Sequence, residues 1–200
     1  HKRLAQIYGF WVAPGQRVLE VGCGSGDLLA ALRPSCGVGV DFSTEMVRRA
    51  RALHPNIEFI EADGHDLHLL KGPFDVIILS DLIDDLWDVQ RVFDQLKQSC
   101  HTRTRLIINS YSRLWELPLM IAAKLGAAKP RLNQNWLTID DTTELLYLSG
   151  FEVIRSWQEI LWPIDTPLLA GLCNKILVKV WPFKLFALTN FILARPCPEK

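Results

Sequence analysis

Within eight residues the chain places two acids and three glycines: Glu20, Gly22, Gly24, Gly26 and Asp27. The stretch from Val18 to Asp27 reads VLEVGCGSGD, an apolar run that ends in a glycine-rich turn. Glycines let a turn tighten and let a ligand come close to the backbone. The helix expected next, Leu28–Arg33, offers N–H groups without intrahelical partners. A dinucleotide fingerprint reads G-x-G-x-x-G and seats a pyrophosphate on those groups. Here the spacing is G-x-G-x-G, with Asp27 directly after it. A carboxylate at that point repels a pyrophosphate and competes for the same donors.

S-adenosylmethionine removes the conflict, because it has no phosphate and carries an ammonium and a sulfonium. Glu20, at the end of the first strand, then becomes an attraction. Further acids follow at strand ends. Asp41 closes the second strand in VGVDFS and can accept both ribose hydroxyls. Ser43 can cap the next helix, with Glu45 in its first turn. Asp63 follows the third strand in FIEADG and can accept an adenine amino group; a solvated loop aspartate is the plain alternative. The fourth strand ends in ILSD, Ile78–Asp81, whose tip faces the same crevice.

A frame of alternating elements must hold these residues. Arg17–Val21, Gly37–Val40, Ile57–Ile60, Phe74–Leu79 and Arg105–Asn109 read as strands. Phe74–Leu79 is continuously apolar, as expected of a strand buried on both faces. Leu28–Arg33, Thr44–Leu53 and Asp84–Cys100 read as helices, the last with Val89, Val92, Phe93 and Leu96 on one stripe. This alternation predicts an α/β fold with a parallel sheet between two helical layers. In the second half Leu114–Leu125 and Asp140–Leu148 read as helices, and Lys129–Leu137 as a polar connection. Phe151–Ser156 and Thr189–Ala194 read as the last strands. Ile160–Leu188 between them is too long for a hairpin turn.

The 200 residues suit one domain, 49% hydrophobic and 22% charged. Lys plus Arg and Asp plus Glu number 22 each, so no net field recruits nucleic acid. Five cysteines, an odd count without C-x-x-C, argue against a disulfide framework or zinc site and for a reducing cytosol. The chain begins at His1 without methionine or a basic-then-apolar leader, and a piece of a longer polypeptide is one reading of that start.

Together the ordered motifs resemble the class I S-adenosylmethionine-dependent methyltransferases from about Val18 to Asn109. The resemblance implies a Rossmann-like, seven-stranded, mostly parallel sheet with its last strand antiparallel. It implies backbone contacts from Gly22 and Gly24 to S-adenosylmethionine, and Glu20 near its methionyl amine. Asp41 would hold the ribose, with Phe42 and Met46 against adenine. Asp63 would meet the adenine amine, Gly64 would add a backbone contact, and Ser80 would lie near the methionine part. Cys23, at a variable position within the cofactor turn, reads as a small buried filler and not a nucleophile.

Methyl transfer from a sulfonium is an in-line displacement with a good leaving group, so positioning can supply much of the acceleration. A base helps where the acceptor is a hydroxyl. Asp81, Asp84, Asp85 and Asp88 cluster after the fourth strand, and Asp84 is the candidate base or polar hook; helix capping is the preferred plain reading. Tyr111, Trp115, Asn135 and Trp136 are candidate substrate contacts, with ordinary aromatic packing as the alternative. His65-x-x-His68 reads as a solvated turn, with no carboxylate–histidine set to complete a metal site. The Asn/Asp-Pro-Pro-aromatic signature of nucleobase-amine methylation is missing after the fourth strand, and no basic stripe supports nucleic acid. A small-molecule or glycan-related acceptor is left.

Pro163–Leu188 is apolar but carries Lys175, Lys179 and Lys184, too many interruptions for a spanning helix. It reads as a cover over the acceptor pocket, as an interfacial element whose lysines meet anionic lipid at the inner face of a membrane, or as extra core or a dimer contact. The segments QNWLT, SGFEV and LTNFILARP are similar to the methyltransferase portion of bacterial chains that also carry a glycosyltransferase, which implies a fused or partner glycosyltransferase and a glycan setting. Two other functions compete: a binding module without catalysis, and a nicotinamide-dependent oxidoreductase, which Asp27 and the glycine spacing disfavour.

Overall fold

The computed structural model describes residues 2–116, 118, 120–121, 135–162, 166 and 169–198. Seven strands form one sheet: β1 (Arg17–Val21), β2 (Cys36–Asp41), β3 (Glu58–Glu61), β4 (Phe74–Ser80), β5 (Cys100–Tyr111), β6 (Phe151–Glu159) and β7 (Thr189–Pro196). Their spatial order is β3-β2-β1-β4-β5-β7-β6. β7 alone runs against its neighbours, antiparallel to both β5 and β6. The remaining pairs are parallel, as the alternation predicts. All parallel strands therefore end at one edge, and the acids at the ends of β1 and β2 arrive there together.

The described helices are α1 (Lys2–Trp11), α2 (Asp27–Ala31), α3 (Thr44–Leu53), α4 (Val89–Lys97), α5 (Ile139–Leu148) and α6 (Leu169–Lys175). Alternate residues of β4 feed two cores, because side chains on a strand point to opposite faces. Ile77 and Leu79 pack with Val92, Phe93 and Leu96 of α4 and Leu146 of α5. Val76 and Ile78 pack with Tyr8 of α1, Leu29 of α2 and Val47 of α3.

The structure departs from the sequence reading in two places. The helix expected at Asp84–Cys100 is broken into a 3-10 turn at Ile83–Asp85 and α4, and Cys100 already opens β5. The break follows from Asp88, whose side chain accepts from the Arg91 N–H at 2.9 Å and starts α4 there. α1 was not anticipated, although Leu4, Tyr8 and Trp11 have helical spacing. The helix expected at Leu114–Leu125 opens on a 3-10 turn, Arg113–Trp115, and lies half outside the described residues, as most of the connection at Lys129–Leu137 does. Between β6 and β7 the insertion forms α6 and two 3-10 turns, Leu177–Lys179 and Phe183–Phe186. Among the described residues no helix is long and apolar enough to cross a membrane.

Candidate active site

The glycine turn bends immediately after β1. Gly24 has φ +51°, and a Cβ built there would meet no atom within 4 Å, so this backbone borders open space. Gly26 has φ +75°, and a Cβ there would strike the Phe59 ring at 2.5 Å. One glycine thus exposes backbone to a ligand, and the other lets the turn pack on β3.

Two acids fasten this turn from neighbouring strands. Asp41 Oδ2 accepts from the Gly24 N–H at 2.8 Å, and Oδ1 accepts from the Ser43 N–H at 2.9 Å. Ser43 then caps α3 by accepting from the Met46 N–H, as expected. Glu20 is buried, and its Oε2 accepts from the Leu29 N–H at 3.1 Å, in the first turn of α2. Burial pushes its carboxyl up to about 8; the Leu29 bond opposes this rise, and Asp27 and Asp41 add to it. Asp27 itself is exposed and held below the usual carboxylate range, first by the Ser25 hydroxyl and then by His54.

Two cavities lie at this edge. One, of about 510 Å³, is lined by Glu20, Cys23, Gly24, Asp27, Met46 and residues of α1, Leu4 and Ala5, among others. The second, of about 300 Å³, is lined by Asp41, Phe42, Asp63, Gly64, His65 and Trp87, among others. Gly22, Ser80 and Asp81 border both, so the two are parts of one crevice. Among the described residues, six carboxylates line it (Glu20, Asp27, Asp41, Asp63, Asp81 and Asp85) and no lysine or arginine does.

The crevice thus brings together Glu20, Gly22, Cys23, Gly24, Asp41, Phe42, Met46, Asp63, Gly64 and Ser80. Phe42 lines the smaller part of the crevice and Met46 the larger. Cys23 is buried, and burial raises its thiol far above the range of a reactive thiolate. Asp63 Oδ1 accepts from the His65 backbone N–H at 2.9 Å and meets its Nδ1 at 2.6 Å, which keeps Asp63 below the usual carboxylate range. His65 departs from the solvated turn expected of it: it is buried and stacked on Trp87 with ring centroids 4.3 Å apart. Phe42 is 78% exposed and Trp87 69%, so the smaller cavity presents two aromatic side chains to solvent.

Asp84, the candidate base or hook, lines neither part of the crevice. It is buried, its Oδ2 accepts from the Tyr111 N–H at 2.9 Å, and its backbone carbonyl accepts from the Asn135 N–H at 2.7 Å. Those bonds tie the loop after β4 to β5 and to the segment before α5. Trp115 and Asn135 likewise donate to backbone carbonyls, of Phe186 and Leu86. Asp81 takes the position that Asp84 does not. It borders both cavities with φ +53°, a conformation sparsely used by residues with a side chain and concentrated at functional sites. Asn109 Nδ2 donates to Asp81 Oδ1 at 2.5 Å, and Tyr8 Oη donates to Asn109 Oδ1 at 2.5 Å. Burial raises Tyr8 well above its ordinary range, so it keeps its proton. Among the described residues no group of three or more His, Cys, Asp or Glu is arranged to hold a metal ion.

A third cavity, of about 590 Å³, opens past the end of β5. Ser112, Arg113, Thr138, Gln158, Lys184 and Asn190 are among its lining residues.

The strand order defines a Rossmann-like domain, with an acid-lined crevice at its glycine turn. Comparison with known proteins narrows the class. Residues 18–102 match the family described as "Methyltransferase domain". A probable S-adenosylmethionine-dependent methyltransferase of Mycobacterium tuberculosis, Rv3030, is 27% identical over 139 residues, 67% of this chain and 48% of that protein. The chain thus spans about half the length of that relative. An S-adenosylmethionine-dependent methyltransferase from Mesorhizobium loti superposes with a TM-score of 0.71 at 21% identity, covering 96% of each chain. Magnesium protoporphyrin IX methyltransferase from Synechocystis PCC 6803, with bound SAH, superposes at 0.67 with 19% identity, over 98% of this chain and 83% of that one. Residues 18–102 thus carry the pattern of a methyltransferase domain, on a fold shared with S-adenosylmethionine-dependent methyltransferases. The lining suits S-adenosylmethionine: open backbone at Gly24, a buried acid at Glu20 and, among the described residues, carboxylates without a lysine or arginine.

Proposed function

We propose that this domain transfers the methyl group of S-adenosylmethionine to a small-molecule or glycan-related acceptor. The observation that carries the reading is the crevice itself, ringed by acids at a glycine turn with an open backbone. Glu20 is suited to the methionyl ammonium, Asp41 to the ribose and Asp63 to the adenine amine. Gly22, Cys23 and Gly24 border the cofactor's path with Met46 and Ser80, and Phe42 and Gly64 border the adenosine end. When bound, the cofactor supplies an electrophilic methyl group on a sulfonium. The chain's own work is to hold the acceptor in line and keep bulk water away. Asp81, bordering both cavities, is the group suited to take a proton from a hydroxyl or amine acceptor.

The third cavity supports a hydroxyl-rich acceptor, because Ser112, Gln158 and Asn190 in its lining carry hydrogen-bonding side chains. A glycosyltransferase in the same or a partner chain belongs to this reading, on the similarity of SGFEV and LTNFILARP noted above.

Calorimetry with S-adenosylmethionine, S-adenosylhomocysteine and NAD tests the cofactor, and selective NAD binding refutes the reading. Asp41→Ala is expected to weaken cofactor binding by about 1–3 kcal/mol, the worth of charged hydrogen bonds. Labelled methyl donor incubated with extracted glycans and small metabolites tests transfer. Cofactor binding without label transfer to any extract points instead to a domain that binds and does not catalyse.

A further inference from the structure

We infer that the face formed by α6 and the two 3-10 turns after it is a docking surface for an anionic lipid bilayer. The segment seats itself on the sheet with small or medium side chains: Cys173, Val178 and Ala187 are buried. Its largest apolar side chains point the other way. Trp181 is 72% exposed and Phe186 59%, and Leu172, Ile176, Phe183 and Leu185 are exposed beside them. The three short elements pack on one another, so these residues belong to one compact unit. An extra piece of core would have buried its tryptophan and phenylalanines, and a concentration of exposed large apolar residues marks an interaction site.

Charge selects the occupant. Lys175, Lys179 and Lys184 are all exposed on this unit, and no Asp or Glu occurs between Asp165 and Glu199. Among the described residues, Glu159 and Glu116 approach it from elsewhere. Glu159 is paired with Arg3 at 3.0 Å, and Arg3 also donates to the Asn174 carbonyl of α6. Glu116 lines the third cavity with Lys184. A second copy packed face to face would set lysines against lysines. An anionic surface takes the lysines at its headgroups and the aromatic and aliphatic side chains at the acyl boundary. The helix has seven residues, so the unit lies on a bilayer and does not cross it. Lys184 and Leu185 also line the third cavity, so the docking face and that cavity share residues.

The proposal is independent of methyl transfer and is tested without it. The chain is floated with extruded vesicles of phosphatidylcholine alone or with added phosphatidylglycerol, at low and high salt. Binding is expected on the anionic vesicles, with a loss of at least tenfold on the neutral ones and at high salt. Lys175→Ala and Lys179→Ala are each expected to weaken it by about fivefold, from roughly 1 kcal/mol per basic residue near such a surface. The pair Trp181→Ser and Phe186→Ser is expected to weaken it at unchanged charge, with thermal unfolding by circular dichroism checking that every variant folds. Equal binding to both vesicle types, or none to either, overturns the proposal. So does a concentration-dependent dimer abolished by Trp181→Ser with no vesicle binding, which assigns the face to a second copy of the chain.

Discussion

Replacing Glu20 with Gln separates the acid's charge from its shape. Glutamine keeps an oxygen that can accept from the Leu29 N–H, the bond that Glu20 makes now. What it removes is a proton equilibrium. Burial raises Glu20 from its ordinary 4.5 to about 8, so across that window the folded chain holds a proton that the unfolded chain has released. Where the folded state binds more protons, stability falls as pH rises. The contribution is fully present below pH 4.5 and lost by about pH 8, and a span of about 3.5 pH units at 1.36 kcal/mol each gives at most about 5 kcal/mol. Urea unfolding of both proteins between pH 5 and 9 should show Glu20→Gln gaining on the parent as pH rises, with the difference between them constant above 8. Cofactor binding should show the reverse linkage. An ammonium beside Glu20 favours the ionised acid, so at pH 6.5 binding should release a proton, detected as calorimetric heats that depend on the buffer's own ionisation heat. Affinity should improve by up to about tenfold per pH unit below 8, and Glu20→Gln should abolish both effects. Stability differences that are flat from pH 5 to 9, with buffer-independent heats, refute the placement of a cation against this acid.

Other substitutions separate ligand contact from architecture. Gly24→Ala borders open space, so it should cost only the strain of its positive φ, about 1–2 kcal/mol, while cofactor affinity falls steeply; Gly26→Ala meets the Phe59 ring and should cost more stability than Gly24→Ala, read by urea unfolding. Tyr8→Phe leaves Asn109 Oδ1 buried without its hydroxyl donor and should destabilise the fold by about 1–3 kcal/mol in the same assay. Asp81→Asn should lower kcat with cofactor affinity largely kept, once an acceptor is in hand, whereas Asp84→Asn should lower the unfolding midpoint; the opposite pattern would restore Asp84 as the acceptor's partner.

The contrast between those two aspartates marks how far a sequence can be read. Parallel strands and their order of use were legible because a strand buried on both faces, such as Phe74–Ser80, has few other ways to satisfy its backbone. The gathering of acids in one crevice was legible for the same reason: strands that run the same way end at the same edge, so an acid at each end must arrive there. Beyond the strand ends that logic stops. Four aspartates in eight residues, from Asp81 to Asp88, have the same chemistry in the sequence. What distinguishes them is backbone direction. Asp81 takes a positive φ and turns toward the crevice, Asp84 turns back to receive the Tyr111 N–H, and Asp88 caps α4. That choice is held by partners distant in sequence, Asn109 and, through it, Tyr8 on a helix that was not foreseen. A helix from the start of the chain therefore helps fix which acid after β4 borders the crevice, a coupling that becomes visible only when Tyr8, Asn109 and Asp81 are seen in one line.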